Sequence, residues 1–309
     1  MPRHLLFVFL DGVGLGGTDP AVNPFARLPL PGFARLAGGA RWTHEAPTLE
    51  RPTHVFQPLD ATLGVPGLPQ SGTGQATLLT GVNCAARAGR HYGPFPHTTS
   101  RPLLAANNLF HQVQRLGLPF EEPAAFANAY PDRFFTYVER SDRWTVTTRC
   151  CLDAGVRIRT HADLVQGDAL AADVTAGGWP QRDPHLEPLT EAEAAHRLAG
   201  LARRHAFTLF EHFHTDKAGH SRSFDRAEAV LTSLDRFFDA LLDALDPAHT
   251  LLLVTSDHGN IEDLSTKSHT AHPVPLAALG DGAHHFAATH DLTGVAPAIV
   301  AALEDGRAR

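Results

Sequence analysis

The sequence predicts an α/β fold: a doubly wound, mostly parallel sheet in a single domain over residues 1–309, with 130–190 as a candidate insertion or small cap. Three observations carry this expectation. Apolar runs rich in Val, Leu and Phe (LLFVFL, FTLF, LLLV) have the length and composition of strands buried on both faces. Helical patterns alternate with such runs in the C-terminal third, as a doubly wound sheet requires. Each of three runs leads into a carboxylate, at Asp11, Asp216 and Asp257. Parallel sheets bind ligands beyond the carboxyl ends of their strands.

Taken in order, residues 5–10 predict the first strand. Pro20, Pro24, Pro29 and Pro31 then predict a long loop, with a short helix around 32–38. Residues 54–60 read as extended. The stretch from Gly64 to Gly74 is turn-rich and opens a helix at ATLLTG. A helix is expected over Leu103–Leu116 and a strand near Phe120–Asn128. Residues 130–190 hold Gly167, Gly177, Gly178, Pro180, Pro184 and Pro188 among short apolar pieces and are the least regular stretch. Thr190-Glu-Ala-Glu193 has the form of a capping box and starts a helix to about Arg204. A strand (206–213), a helix (224–245), a strand (250–256), a strand near 274–279 and a helix (291–303) complete the chain.

Composition narrows the function classes. The chain is 43% apolar and carries a net charge of −7 with no basic run, so nucleic acid is not an expected partner. Of 26 basic residues only Lys217 and Lys267 are lysine. Cys84, Cys150 and Cys151 make an odd count with a vicinal pair, which is no disulfide framework. The N-terminal apolar stretch is too short for a signal peptide, and no membrane span is expected, so the cytoplasm is the expected location.

The motifs point to metal chemistry. Three carboxylates on one sheet edge repel one another unless cations sit between them. Asp216 and His220 are spaced to share one face of a helix. In Ser256-Asp257-His258-Gly259-Asn260, Gly259 breaks the strand, which lets Asp257 and His258 share a site. Carboxylate with imidazole is a ligand set for zinc or manganese. Gly12-Val-Gly14-Leu-Gly16-Gly17 resembles a dinucleotide fingerprint, but Pro20 and Pro24 stand where the phosphate-binding helix would have to start. Ser71-Gly-Thr73-Gly74-Gln75 is a turn entering a helix, able either to cap it or to offer a nucleophilic hydroxyl to an anion.

In their order along the chain these motifs resemble the alkaline phosphatase superfamily, nearest the branch of cofactor-independent phosphoglycerate mutase and phosphopentomutase. The residues that carry the resemblance are Asp11-Gly12, Ser71 to Gln75, Asp216 to His220, Asp257 to Asn260, and His269 to Pro275, with Gln75 standing where the branch has His. The resemblance implies an alkaline phosphatase-type sheet and two divalent metal ions per chain, zinc or manganese. Asp11, Asp257, His258 and the Ser71 oxygen would hold one, and Asp216, His220 and His269 the other. It implies Ser71 as nucleophile in phosphoryl transfer on a small-molecule phosphate ester. Hydrolysis of a mono- or diester is the expected reaction, with a phosphomutase as alternative and a non-catalytic metal- or phosphate-binding protein as the reading from another class. Thr73, Arg87 and Arg90 are the candidate substrate contacts. His272, three residues from His269, is expected outside the ligand set.

Overall fold

Leu5, Phe7 and Phe9 point to one face of the first strand, Leu6, Val8 and Leu10 to the other, and all six are buried. Such a strand must lie in the middle of a covered sheet. The computed structural model describes residues 4–179 and 186–308; Pro180 and Pro184 lie outside the described residues. The strands are β1 (His4–Leu10), β2 (Leu49–Arg51), β3 (His54–Leu59), β4 (Ala124–Phe126), β5 (Ala129–Tyr130), β6 (Arg159–Thr160), β7 (Phe207–His212), β8 (Thr250–Ser256) and β9 (Val274–Leu279). Seven of them form one sheet in the order β2-β3-β9-β8-β1-β7-β4, and β5 and β6 pair separately.

β1 runs parallel to both β7 and β8, and β4 runs parallel to β7. The sheet turns antiparallel at one side, where β9 pairs with β8 and β3, and β2 pairs with β3. Register aligns the strand ends. Leu10 is level with His212 of β7 and Ser256 of β8, so the three strands end together. Asp11 and Asp257 therefore emerge side by side.

Helices cover both faces. The chain first forms α1 (Pro24–Arg27), α2 (Pro31–Leu36), α3 (Ser71–Thr80), α4 (Cys84–Ala88), α5 (Arg101–Asn107) and α6 (Leu109–Arg115). The later helices are α7 (Asp132–Ser141), α8 (Val146–Ala154), α9 (His161–Val165), α10 (Glu191–Ala202), α11 (His214–Ser221), α12 (Phe224–Ala244) and α13 (Val295–Ala308). One core layer joins Leu5, Phe7 and Phe9 to side chains of α3, α5, α6, α8 and α13. The other joins Leu6, Val8 and Leu10 to α2, α10 and α12.

Local outcomes differ from the sequence expectation at several points. The helix expected to open at ATLLTG starts earlier, at Ser71. The single helix expected over Leu103–Leu116 is two helices. Asn108 between them is extended (ψ 164°), and its side chain accepts from the N–H groups of Phe110 and His111, restarting the helix. Among the described residues, the stretch 130–190 holds three helices. Val146, Cys150 and Cys151 of α8 are buried in the main core, whereas Ala129, Leu164, Ala169, Ala171, Ala176 and Trp179 make a small cluster of their own. The Thr190–Glu193 capping box forms as its spacing predicts. No helix among the described residues is long and apolar enough to cross a membrane.

Candidate metal centre

The site forms where β1, β7 and β8 end. Gly12, in the left-handed region (φ +71°), turns the chain sharply after Asp11. A Cβ on Gly12 would stand 2.8 Å from Asp216 Oδ1, so this glycine permits a close approach. Gly14 has the same role toward Glu262, whose Oε2 accepts its N–H at 2.8 Å. The glycines after Asp11 thus accommodate the half-buried Asp216 and the buried Glu262, and the next helix begins only at Pro24.

Asp11, Asp257 and His258 are buried together, with His258 Nε2 at 3.3 Å from Asp11 Oδ1 and 3.6 Å from Asp257 Oδ2. Those two carboxylate oxygens are buried without a hydrogen-bond donor in good geometry. Burial, with Asp257 adding repulsion, lifts the Asp11 carboxyl to about 7. Burial opposes charge on His258, but Asp257, Asp11 and Asp216 overcome it and drive the imidazole up to about 10. A cluster that retains a proton so strongly demands positive charge, and a divalent cation would supply it while displacing that proton.

A second set adjoins the first. Asp216 and His220 lie on α11, where the i, i+4 spacing puts His220 Nε2 3.3 Å from Asp216 Oδ2. His269 Nε2 is 3.6 Å from Asp216 Oδ1 and 3.2 Å from His220 Nε2. The Nδ1–H of His220 donates to the Lys267 carbonyl and that of His269 to the Pro69 carbonyl, each at 2.8 Å. This leaves both Nε2 lone pairs facing the gap beside Asp216, the orientation that metal-binding imidazoles need. The His258 and His269 rings stack with centroids 3.8 Å apart, so the two sets share a wall. Asp11, Asp257 and His258 on one side, and Asp216, His258 and His269 on the other, have ligand atoms close enough to hold an ion each.

Ser71 is the first residue of α3, and its Oγ lies 2.9 Å from His258 Nε2. Gln70, not Ser71, occupies the cap position, so the hydroxyl is directed at the ligand cluster rather than spent on the helix end. Thr73 is different. It is buried, and its Oγ1 accepts from the Tyr92 N–H at 3.1 Å. Arg90 lines a cavity beside the Ser71 turn, while Arg87 sits exposed on α4 outside that lining. A roomier cavity of about 590 Å³ lies against Thr250 and Leu252, towards the start of β8, and holds none of these residues.

Two buried acids stand out less in the sequence than in the fold. Glu262 accepts from the Gly14 and Asn260 N–H groups and from the Thr270 hydroxyl, and pairs with His272 Nδ1 at 3.1 Å. Burial raises the Glu262 carboxyl, but these donors outweigh it and hold it below its ordinary value. His272 is thereby occupied away from the cluster. Glu211, on β7, accepts from the Thr147 hydroxyl at 2.7 Å and faces the charge of Asp11. Burial raises it to about 8, against the Thr147 bond and with help from Asp11. A cation beside it would ionise it. Its sequence signal is an acid inside an otherwise apolar strand.

A family model described as the Metalloenzyme superfamily matches residues 187–304. The chain is 30% identical over 125 residues to the 2,3-bisphosphoglycerate-independent phosphoglycerate mutase of Cronobacter sakazakii, covering 37% of this chain and 24% of the mutase. It is 37% identical over 93 residues to that of Halobacterium salinarum, covering 28% and 18%. The matched segment thus spans about a quarter or less of these mutases' length. In three dimensions the chain is similar to the alkaline phosphatase from the Antarctic bacterium TAB5, with a TM-score of 0.53, 12% identity and 98% of each chain covered. At that identity the likeness is one of fold.

Proposed function

We propose that this chain, a metalloenzyme of the alkaline phosphatase superfamily near the cofactor-independent phosphoglycerate mutase branch, moves a phosphoryl group from a phosphate ester onto Ser71 and then to water. The observation that carries the reading is the Ser71 Oγ placed 2.9 Å from His258 Nε2, between a helix N-terminus and a cluster of carboxylates and imidazoles. Asp11, Asp257 and His258 would hold one divalent ion and Asp216, His220 and His269 the other, zinc or manganese. Such ions, when bound, neutralise phosphoryl oxygens and lower the pKa of the nucleophile.

The chain's own residues do the rest. The ten-residue helix α3 points its positive end at the incoming phosphoryl group. Ser71 Oγ forms the O–P bond as the ester P–O bond breaks, and the proton it releases passes through solvent to the leaving oxygen. Water then attacks phosphorus and frees Ser71.

Hydrolysis is favoured over isomerisation by the segment between Ser71 and Asp216. A mutase must shield its phosphoenzyme from water while the intermediate turns. Here α8 is built into the main core, and the separate cluster from Ala129 to Trp179 is small. The mutase reading draws support from the sequence relatives. A panel of phosphate mono- and diesters, including a phosphoglycerate, separates the two when run with zinc or manganese. Free phosphate is expected. Isomerised product without free phosphate would overturn hydrolysis in favour of the mutase, and no turnover of any ester would overturn both.

A further inference from the structure

Arg90, Arg101 and Arg143 come from three separate segments and line one cavity of about 490 Å³. Among the described residues, no carboxylate lines that cavity. Among the described residues, too, none of the three arginines forms an ion pair, whereas Arg35, Arg149, Arg157 and Arg204 all do. In a chain with 33 acids and 26 basic residues, three unpaired guanidiniums on one concave surface are a charge arrangement awaiting an anion. Two of them are oriented in advance. Arg90 lies over the Tyr92 ring at 5.7 Å and Arg143 over the Phe95 ring at 5.9 Å, which leaves their N–H edges free.

Two segments of the cavity wall reach towards the metal centre. On one, Tyr92 and Phe95 belong to a loop packed on the Ser71 turn. The Thr73 N–H donates to the Tyr92 carbonyl at 2.8 Å, and a Cβ on Gly93 would be 3.3 Å from the Ser71 nitrogen. On the other, Arg143 and Trp144 lie just before α8, where Thr147 binds Glu211 beside Asp11.

We propose that this cavity is a subsite for a second oxyanion, a carboxylate or phosphate on the part of the substrate that does not react. It rests on the phosphoryl-transfer reading for the identity of the ligand as a substrate, while the anion site itself stands on the arginines alone. Planar guanidiniums with free edges suit the bidentate recognition of such groups, and Trp144, in the same lining, offers an apolar surface to the substrate's carbon skeleton.

The test compares phenyl phosphate with a phenyl phosphate bearing a ring carboxylate, using metal-loaded protein. Wild type is expected to prefer the carboxylated ester in kcat/KM by about tenfold or more, and the Arg101→Gln/Arg143→Gln variant to bring that ratio close to one. Both arginines are exposed, so the variant retains its fold, which circular dichroism verifies. A ratio unchanged by the double substitution overturns the subsite. Sulfate titration by calorimetry separates the two readings. If neither ester turns over but the variant loses one sulfate site relative to wild type, phosphoryl transfer fails and the anion site stands. If sulfate binding is the same in both proteins, the anion site fails whatever the turnover.

Discussion

The Nε2 atoms of His220 and His269 stand 3.2 Å apart, with each ring fixed through its Nδ1–H to a backbone carbonyl. Two imidazole lone pairs at that separation repel unless a proton or a cation lies between them. His272, only three residues from His269, is instead paired with buried Glu262. His220→Ala and His269→Ala are each expected to lose one equivalent of divalent metal, and His272→Ala to keep the wild-type content. Elemental analysis after gel filtration decides it. Loss of an ion from His272→Ala alone would show the ligand set to be wrongly drawn.

Ser71 and Thr73 lie two residues apart but face different partners, His258 and the Tyr92 backbone. Ser71→Ala is expected to lower kcat by about a thousandfold or more, as loss of a nucleophile does. Thr73→Ala is expected to cost chiefly stability, about 1–2 kcal/mol, because the Tyr92 N–H loses an acceptor. Steady-state kinetics alongside thermal melts would expose a reversed ranking.

Glu211 supplies a pH signature for the metal-free protein. Its folded-state value of about 8 lies above the ordinary 4.5, so the folded state holds a proton that the unfolded chain releases. The associated stability is complete below pH 4.5 and is lost as pH rises towards 8. Asp11, raised to about 7, acts in the same direction. Glu211→Gln should therefore flatten the decline in urea-unfolding stability between about pH 5 and 8 by about 1–3 kcal/mol. An unaltered slope in this variant would mean that Glu211 is already ionised in the fold.

Gly72 leaves no room for a side chain: a Cβ there would collide with the Phe95 carbonyl oxygen and come within 2.7 Å of that of Tyr92. Gly72→Ala is expected to cost about 2 kcal/mol or more, since the obstacle is backbone rather than a mobile side chain. Gly17→Ala, in open space, serves as the control and should melt near wild type.

The central fold was legible because its strands are nearly continuous apolar runs. Thr250–Ser256 and the helix from Phe224 match the expected bounds within a residue. Asp11, Asp216, His220, Asp257 and His258 were legible as candidates because each closes such a run or follows it at short spacing, whereas His269 was legible only through the motif resemblance. Other features are not written locally. The break at Asn108 depends on a side chain capping the next helix rather than continuing the last. The helices of 132–154 carry mixed polarity, and α8 is recognisable as core only once α3, α5 and α6 are in place beside it. Glu262 acquires its partners from four residues on two loops, the one after β1 and the one between β8 and β9, a meeting that no spacing rule announces.

The distribution of primary amines and thiols sets the terms for attaching this protein to anything. Its only two lysines flank the second ligand set: Lys217 is next to Asp216, and the Lys267 carbonyl holds His220. All three cysteines are buried, and burial pushes the Cys150 and Cys151 thiols well up, away from the reactive thiolate. Amine-directed labels, crosslinkers or resin couplings at lysine will therefore attach at chain neighbours of the second ligand set, with the Lys217 ammonium itself lying over the Phe213 ring, and maleimides will find little to react with. A cysteine placed on the exposed side of α7, for example Glu139→Cys, would give a fluorophore or a surface tether an accessible thiol.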